Sequence, residues 1–273
     1  MNIRHTNPIS VGDYVKFTKS NEGFKGDITK IFPRKNYIIR RSVNLSKETH
    51  VLASNLDQAI LVITLKRPRT YFEFIDRFLI TSNAYQIPTL IVFSKSDTYL
   101  EEELLEIEAI RKIYTKLGIN CLLISCYKKK DISKISDLIK NKTTLFSGNS
   151  GVGKSTLINC LNAKLNLKTQ SVSNSTNKGR HTTTFAQMYD IDKNTRVIDS
   201  PGIKGFGLVD MKRNEIYRYF PELLEASKNC RFKNCIHIDE PECEVKKRLA
   251  AGEISNFRYE SYINLIHEKK IIR

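Results

Sequence analysis

Gly148-Asn149-Ser150-Gly151-Val152-Gly153-Lys154-Ser155 fits the pattern G-x-x-x-x-G-K-[ST]. The β-prone run Thr143 to Ser147 enters it, and residues 155–165 leave it with helical periodicity. Strand, glycine-rich turn and helix in that order make a phosphate cradle. The glycines let consecutive backbone N–H groups turn inward around phosphate oxygens, and the helix presents its positive N-terminal end. Lys154 is placed to reach the β- and γ-phosphates and Ser155 to ligate Mg²⁺, with Thr156 beside them. Nucleotide binding is the first expectation, and an α/β P-loop domain is the fold that carries it.

The loop alone does not choose between ATP and GTP, so its neighbours decide. Downstream, Arg196-Val197-Ile198-Asp199-Ser200-Pro201-Gly202 reads as a buried strand ending in D-x-x-G. Asp199 can hold Mg²⁺ through water, and Gly202 can turn its N–H toward the γ-phosphate. Between the two motifs, Lys178-Gly179-Arg180-His181-Thr182-Thr183-Thr184 follows the polar stretch 169–177, a loop composition. A threonine there completes the Mg²⁺ shell and offers its N–H to the γ-phosphate, ordering the loop only around a triphosphate. Thr183 is favoured, with Thr184 close behind. Ile203 stands where many small GTPases carry the glutamine that orients water, and an apolar side chain cannot do this. His181 is the local candidate for water positioning; contact with RNA or solvent is its equal alternative.

Upstream, the apolar run 59–64 is followed by a second, Thr89 to Phe93, ending in Ser94-Lys95-Ser96-Asp97. This element is similar to [NT]-K-x-D. The Asp97 carboxylate offers two acceptors to the N1–H and N2–H₂ donors of guanine, a pairing adenine cannot reproduce. Lys95 can lay its aliphatic stem over the base. A third apolar run, 121–124, leads to Ser125-Cys126, similar to an S-A element whose backbone N–H meets O6, a role that tolerates cysteine. Ser94 departs from the usual Asn or Thr, and a serine hydroxyl has less reach toward the base and the phosphate loop. Weaker nucleotide retention is expected, with guanine selection left to Asp97.

Base-reading elements, P-loop, switch threonines and D-x-x-G thus occur in an inverted order, which resembles the circularly permuted GTPases. Within these the chain resembles the RsgA (YjeQ) family of small-ribosomal-subunit assembly GTPases. The resemblance rests on Ser94 to Asp97, Ser125-Cys126, the P-loop, Gly179 to Thr184, Asp199 to Gly202 and the cysteine cluster below. It implies GTP and GDP as ligands, Mg²⁺ as cofactor, and the small ribosomal subunit with its rRNA as partner. With Ile203 unable to orient water, slow intrinsic hydrolysis is expected, accelerated when ribosomal RNA orders the switch loop.

Beyond Asp199 the chain leads into a C-terminal appendage containing Cys230-Arg231-Phe232-Lys233-Asn234-Cys235-Ile236-His237, with Cys243 further on. Three thiolates and one imidazole, Cys230, Cys235, His237 and Cys243, satisfy tetrahedral Zn²⁺ with no open position, so one structural zinc is expected. Buried free thiols or disulfides are the alternative. Asp239, Glu240 and Glu242 are solvated charges or partners of the ligands. Residues 214–228 and 244–267 alternate apolar and charged residues at helical spacing, and the zinc is expected to fasten them. Cys121, Cys126 and Cys160 lie in the nucleotide domain. The absence of a signal-like start or of an apolar run near about 18 residues places the expected compartment in the cytoplasm, without a membrane partner.

The N-terminal segment has short β-prone runs at 11–17, 25–32 and 37–41, with Val51-Leu52 beginning another. A small barrel fits, and the resemblance names it an OB-fold, whose face commonly contacts oligonucleotides. Arg34, Lys35, Arg40 and Arg41, interleaved with Tyr14, Phe17 and Tyr37, would supply phosphate contacts and stacking platforms. The alternative is aromatic core and solvated charge. A net charge of +16 favours a polyanionic partner. The expected architecture is therefore multidomain: an all-β OB-like barrel at 1–54, a circularly permuted GTPase domain at 55–212 and a helical zinc-binding domain at 213–273. A monomer is expected. Two functional readings follow: a GTPase that times its release from the maturing subunit, or an RNA-binding module in which hydrolysis is incidental.

Overall fold

A computed structural model describes residues 8–19, 26–41, 49–167, 186–200 and 211–268. The N-terminal strands β1 (Val15–Lys19) and β2 (Gly26–Ile31) pair antiparallel, as do β3 (Tyr37–Arg41) and β4 (Thr49–Ser54). Among the described residues these are two separate two-stranded sheets without closure into a barrel. The segments joining their strands, 20–25 and 42–48, lie outside the described residues. Ile38, Leu52 and Ala53 leave the second hairpin and join the core beneath the main sheet. Gly12 sits where a Cβ would come within 2.1 Å of the Ser54 carbonyl oxygen, at φ +95°, so no other residue fits the crossing.

A half-buried ion pair holds this junction. Asp13 receives Arg34 Nε and Nη2 at 2.7 Å each, Ser54 Oγ at 2.7 Å and the Ser10 amide at 2.9 Å. Burial opposes ionisation of Asp13, yet these donors outweigh it and keep the carboxyl below its ordinary value. The stability it contributes is complete above about pH 4, the unfolded carboxylate range, and is lost as pH falls through the lower folded-state value. Asp13→Asn is expected to flatten the acid limb of a stability-against-pH curve below about pH 4. An unchanged acid limb in urea unfolding would contradict this. Arg34, expected to contact phosphate, is thus a structural residue.

The main sheet grows from β5 (Gln58–Ile63), every residue of which is buried. Chain order continues with α1 (Phe72–Ala84), β6 (Thr89–Phe93), α2 (Glu101–Lys116), β7 (Asn120–Leu123), α3 (Lys129–Ile139), β8 (Thr143–Ser147), α4 (Lys154–Leu161), β9 (Gln187–Asp190) and β10 (Arg196–Asp199). The strand order is β7-β6-β5-β8-β10-β9, parallel except for β9 at the edge. Side chains alternate along β5: Leu61 and Ile63 join Phe78, Ile107 and Tyr114 on one face, while Ile60 and Val62 join Ile135, Leu157 and Ile158 on the other. Both faces are covered, which explains the continuous apolar runs. The chain steps outward from β5 through β6 to β7, then returns to β8 on β5's other side. Such a reversal opens a crevice at the carboxyl ends of the strands, the usual ligand edge.

The C-terminal part begins with 3-10 turns at Arg213–Tyr219, followed by α5 (Pro221–Ser227), α6 (Glu244–Ala250) and α7 (Asn256–His267). The two helical stretches expected at 214–228 and 244–267 are each broken. Pro221 starts a new helix at its first turn, and Gly252 at φ +73° ends α6. Ile80 of α1 belongs to the C-terminal core, and Phe257 of α7 stacks on Phe72 with centroids 4.2 Å apart. The C-terminal helices therefore dock directly on the sheet's own helix α1.

Candidate functional site

Three loops converge on the carboxyl edge. The P-loop leaves β8 with Gly148, Gly151 and Gly153 all at positive φ. Gly148 is irreplaceable on contact grounds alone, because a Cβ there would lie 2.1 Å from the Val62 carbonyl oxygen of β5. Lys154 is 8% exposed and donates to the carbonyls of Gly148 at 2.8 Å and Asn149 at 3.2 Å, folding the loop around its ammonium. Burial lowers its pKa, with Asp199 opposing. Burial likewise pushes the Asp199 carboxyl up to about 6, with Lys154 opposing. Asp199 Oδ1, Ser200 Oγ and Ser147 Oγ are buried without hydrogen-bond partners. Orphaned buried oxygens beside a phosphate cradle fit a site completed by a hydrated cation and phosphate oxygens.

The second and third loops follow β6 and β7. Ser94 Oγ lies 2.5 Å from the Val152 carbonyl and 3.1 Å from that of Ile63. The serine therefore does reach the phosphate loop, against the shorter reach expected of it, because β6 and β8 both flank β5 and bring the loops together. Lys95 occupies the left-handed region at φ +60°, which turns the chain into the 3-10 turn Ser96–Thr98. Its Nζ donates to the Arg67 carbonyl at 3.0 Å, and burial lowers its pKa. Ser125 Oγ donates to Asp97 Oδ1 at 2.5 Å, while the Ser125 amide is held by Asp131 Oδ2 at 3.1 Å. The Ser96 amide completes the bridge on the Ile124 carbonyl at 2.9 Å.

Ser94, Lys95, Asp97, Ser125 and Cys126 are thus brought beside Gly148 to Thr156 and Asp199. His181, Thr183, Thr184 and Gly202 lie outside the described residues. Sequence reasoning missed Asp131, which positions Ser125, and Arg67, whose carbonyl holds Lys95. Asp131, in the first turn of a helix following the third loop, carried the one local signal that could have flagged it.

Across the molecule, Cys230, Cys235, His237 and Cys243 offer ligand atoms within 4.8 Å of one another. His237 Nδ1 lies 3.6 Å from Cys230 Sγ and 3.5 Å from Cys243 Sγ, and those sulfurs are 4.0 Å apart. A tetrahedron with Zn–S near about 2.3 Å requires S···S edges of about 3.8 Å, so the donor set fits zinc. The loop is braced from outside. Glu240 accepts from the Ile236 and Ile238 amides at 2.7 and 2.9 Å, and Tyr259 donates to the His237 carbonyl at 2.7 Å. Glu240 is therefore a backbone clamp rather than a solvated charge.

A parallel sheet with its P-loop strand later in the chain than its base-edge strands defines a circularly permuted P-loop GTPase. The family model for RsgA GTPase matches residues 31–209, and the chain belongs to that family. It is 50% identical to the small ribosomal subunit biogenesis GTPase RsgA of Christiangramia forsetii, over 97% of this chain and 84% of that one. It is 49% identical to the same protein of Flavobacterium psychrophilum, over 97% and 82%. Among solved structures it is similar to YjeQ from Thermotoga maritima, with TM-score 0.76, 33% identity and coverage of 97% and 86%. It is also similar to YloQ, a circularly permuted GTPase, with TM-score 0.71, 28% identity and coverage of 97% and 83%.

Proposed function

We propose that this chain hydrolyses GTP on the maturing small ribosomal subunit and uses the hydrolysis to time its release. The observation that carries the reading is the bond of Ser94 to the P-loop carbonyl of Val152, with Asp97 and Ser125 bonded to each other in the neighbouring loops at the same sheet edge. In this reading Asp97 accepts from the guanine N1–H and N2–H₂, Lys95 covers the base, and the backbone of Ser125-Cys126 meets O6. Asn149, Ser150, Gly151, Val152 and Gly153 line the phosphates with their N–H groups, Lys154 exchanges its loop carbonyls for phosphate oxygens, and Thr156 adds to the same cradle. Ser155, Asp199 and Thr183 would hold Mg²⁺, which would supply neutralisation of the developing phosphate charge. His181, Thr183, Thr184 and Gly202 are assigned the switch and water-positioning roles.

The rRNA-facing surface is assigned to the N-terminal hairpin. Tyr14, Phe17 and Phe32 are 61%, 56% and 43% exposed, and Lys30 lies 5.2 Å over the Phe32 ring. Exposed aromatics with interleaved lysines suit unpaired bases and phosphates. Tyr37 instead packs on Tyr85 at 5.0 Å, and Lys35 pairs with Asp57 at 3.2 Å. Multiple-turnover GTPase assays with and without purified small subunits test the whole reading. Stimulation of at least about tenfold is expected, and equal rates would refute the coupling.

A structural zinc is proposed for the Cys230, Cys235, His237 and Cys243 cluster. Elemental analysis is expected to find one zinc per chain. Cys235→Ala is expected to lose it and to unfold the C-terminal helices, because structural zinc supplies about 10 kcal/mol or more to small modules. Unchanged circular dichroism in the zinc-free variant would contradict that role. Among the described residues, no helix is long and apolar enough to cross a membrane.

A further inference from the structure

The cysteines outside the zinc cluster differ in their surroundings. Cys121 is buried in the sheet core, whereas Cys126 is half-buried in the loop after β7 and Cys160 is exposed on α4. Cys160 Sγ lies 3.7 Å from the Cys126 carbonyl oxygen. Burial pushes the Cys126 thiol up to about 12, and the neighbouring Cys160 thiol, in hydrogen-bonding range, adds to the rise. That contact brings the two cysteines together across the seam between the loop after β7 and the helix that follows the P-loop. The hydroxyl of Ser125, one residue before Cys126, holds Asp97; Lys154 begins the helix that carries Cys160. A bond between the thiols would span the two halves of the nucleotide site.

We propose that Cys126 and Cys160 form a hydroperoxide-sensitive thiol pair whose disulfide ties the base-edge loop to the P-loop helix and slows guanine-nucleotide exchange. The proposal rests on the reading that the Ser125-Cys126 backbone meets the guanine. Cys160, the exposed member, meets the oxidant first. Its sulfur attacks one oxygen of the hydroperoxide, the O–O bond breaks, and the departing oxygen leaves as alcohol or water with the thiol proton. The product is a sulfenic acid on Cys160. The Cys126 sulfur then attacks the sulfenic sulfur; the S–S bond forms, the S–O bond breaks, and the departing hydroxide takes the Cys126 proton as water. Two thiols are oxidised and one hydroperoxide is reduced. A dithiol reverses the bond by exchange. Cys126 is less accessible to the hydroperoxide than Cys160, so it serves as the resolving thiol.

The test uses the full zinc-loaded chain treated with hydrogen peroxide, alkylated with N-ethylmaleimide and digested for mass spectrometry, alongside stopped-flow release of methylanthraniloyl-GDP. Wild type is expected to yield a linked Cys126–Cys160 peptide and about tenfold slower release, restored by dithiothreitol. Cys160→Ser is expected to release nucleotide at the untreated wild-type rate with or without peroxide. It keeps the zinc cysteines, so their oxidation is controlled for. Failure to find the linked peptide overturns the thiol pair. A linked peptide with unchanged release overturns the switch, while the placing of Ser125-Cys126 at the base stands or falls separately on the Asp97→Asn competition binding. Equal slowing in Cys160→Ser assigns the effect to other cysteines and also overturns it.

Discussion

Arg258→Ala is expected to lower the unfolding free energy by about 3–5 kcal/mol, the usual cost of leaving a buried charge without its partner. Arg258 on α7 is 2% exposed and sends its Nε and Nη2 to Glu222 of α5 at 2.6 and 3.2 Å. Its Nη1 meets Asp76 of α1, which is fully buried and also accepts the Tyr114 hydroxyl at 2.8 Å. The guanidinium lies 4.5 Å over Phe220 and 5.5 Å over Tyr114. Burial pushes the Asp76 carboxyl up, and Arg258 is the foremost group opposing it. Without Arg258 the folded-state value rises further. A carboxylate with a raised folded-state pKa costs stability as pH climbs above the unfolded value, so the loss should be larger at pH 7 than at about pH 4. Urea unfolding at the two pH values checks this. Asp76→Leu and Glu222→Leu combined with Arg258→Met should recover most of the loss, because an apolar set removes all three charges of the network. A single Arg258→Ala change costing under about 1 kcal/mol would show that the network is not what joins α1 to the C-terminal helices.

Asp97→Asn is expected to weaken GTP binding by about 100-fold, near 3 kcal/mol, while improving binding of XTP. In the proposed reading the carboxylate supplies two acceptors to two guanine donors, and an amide in its place would present a donor to one of them. Xanthine carries a carbonyl where guanine has its amino group, so the same amide suits it. The fold should be undisturbed, since an asparagine carbonyl still accepts from Ser125 Oγ, which holds Asp97 at 2.5 Å. Competition binding with GTP, ATP and XTP reads the outcome. Equal losses for GTP and XTP would mean that Asp97 shapes the loop and does not read the base.

The nucleotide site was legible because its signals are local. Glycine and lysine spacing writes the cradle at 148–155, and apolar runs ending in polar triplets mark where strands meet the ligand edge. The cysteine cluster was legible for the same reason: its four donors fall within a short stretch whose turns bring them together. What was not legible involves partners far apart in the chain. Arg258 is 182 residues from Asp76, and the carbonyl that holds Lys95 belongs to Arg67, 28 residues before it. Arg34 looked like a phosphate contact because nothing local reveals that Asp13 lies across from it.

By itself the sequence determined the strand that enters the P-loop, the inverted order of the motifs and the cluster of Cys230, Cys235, His237 and Cys243, because each motif is written in residues close together in the chain. Tertiary structure decided that Ser94 reaches the P-loop, that Ser125 holds Asp97, and that the C-terminal helices dock on α1 through a buried ion network. The reason is physical. Local spacing sets backbone conformation, but hydrogen bonds and charge pairing depend on which surfaces the folded chain presses together, and that follows from how β5, β6 and β8 stack.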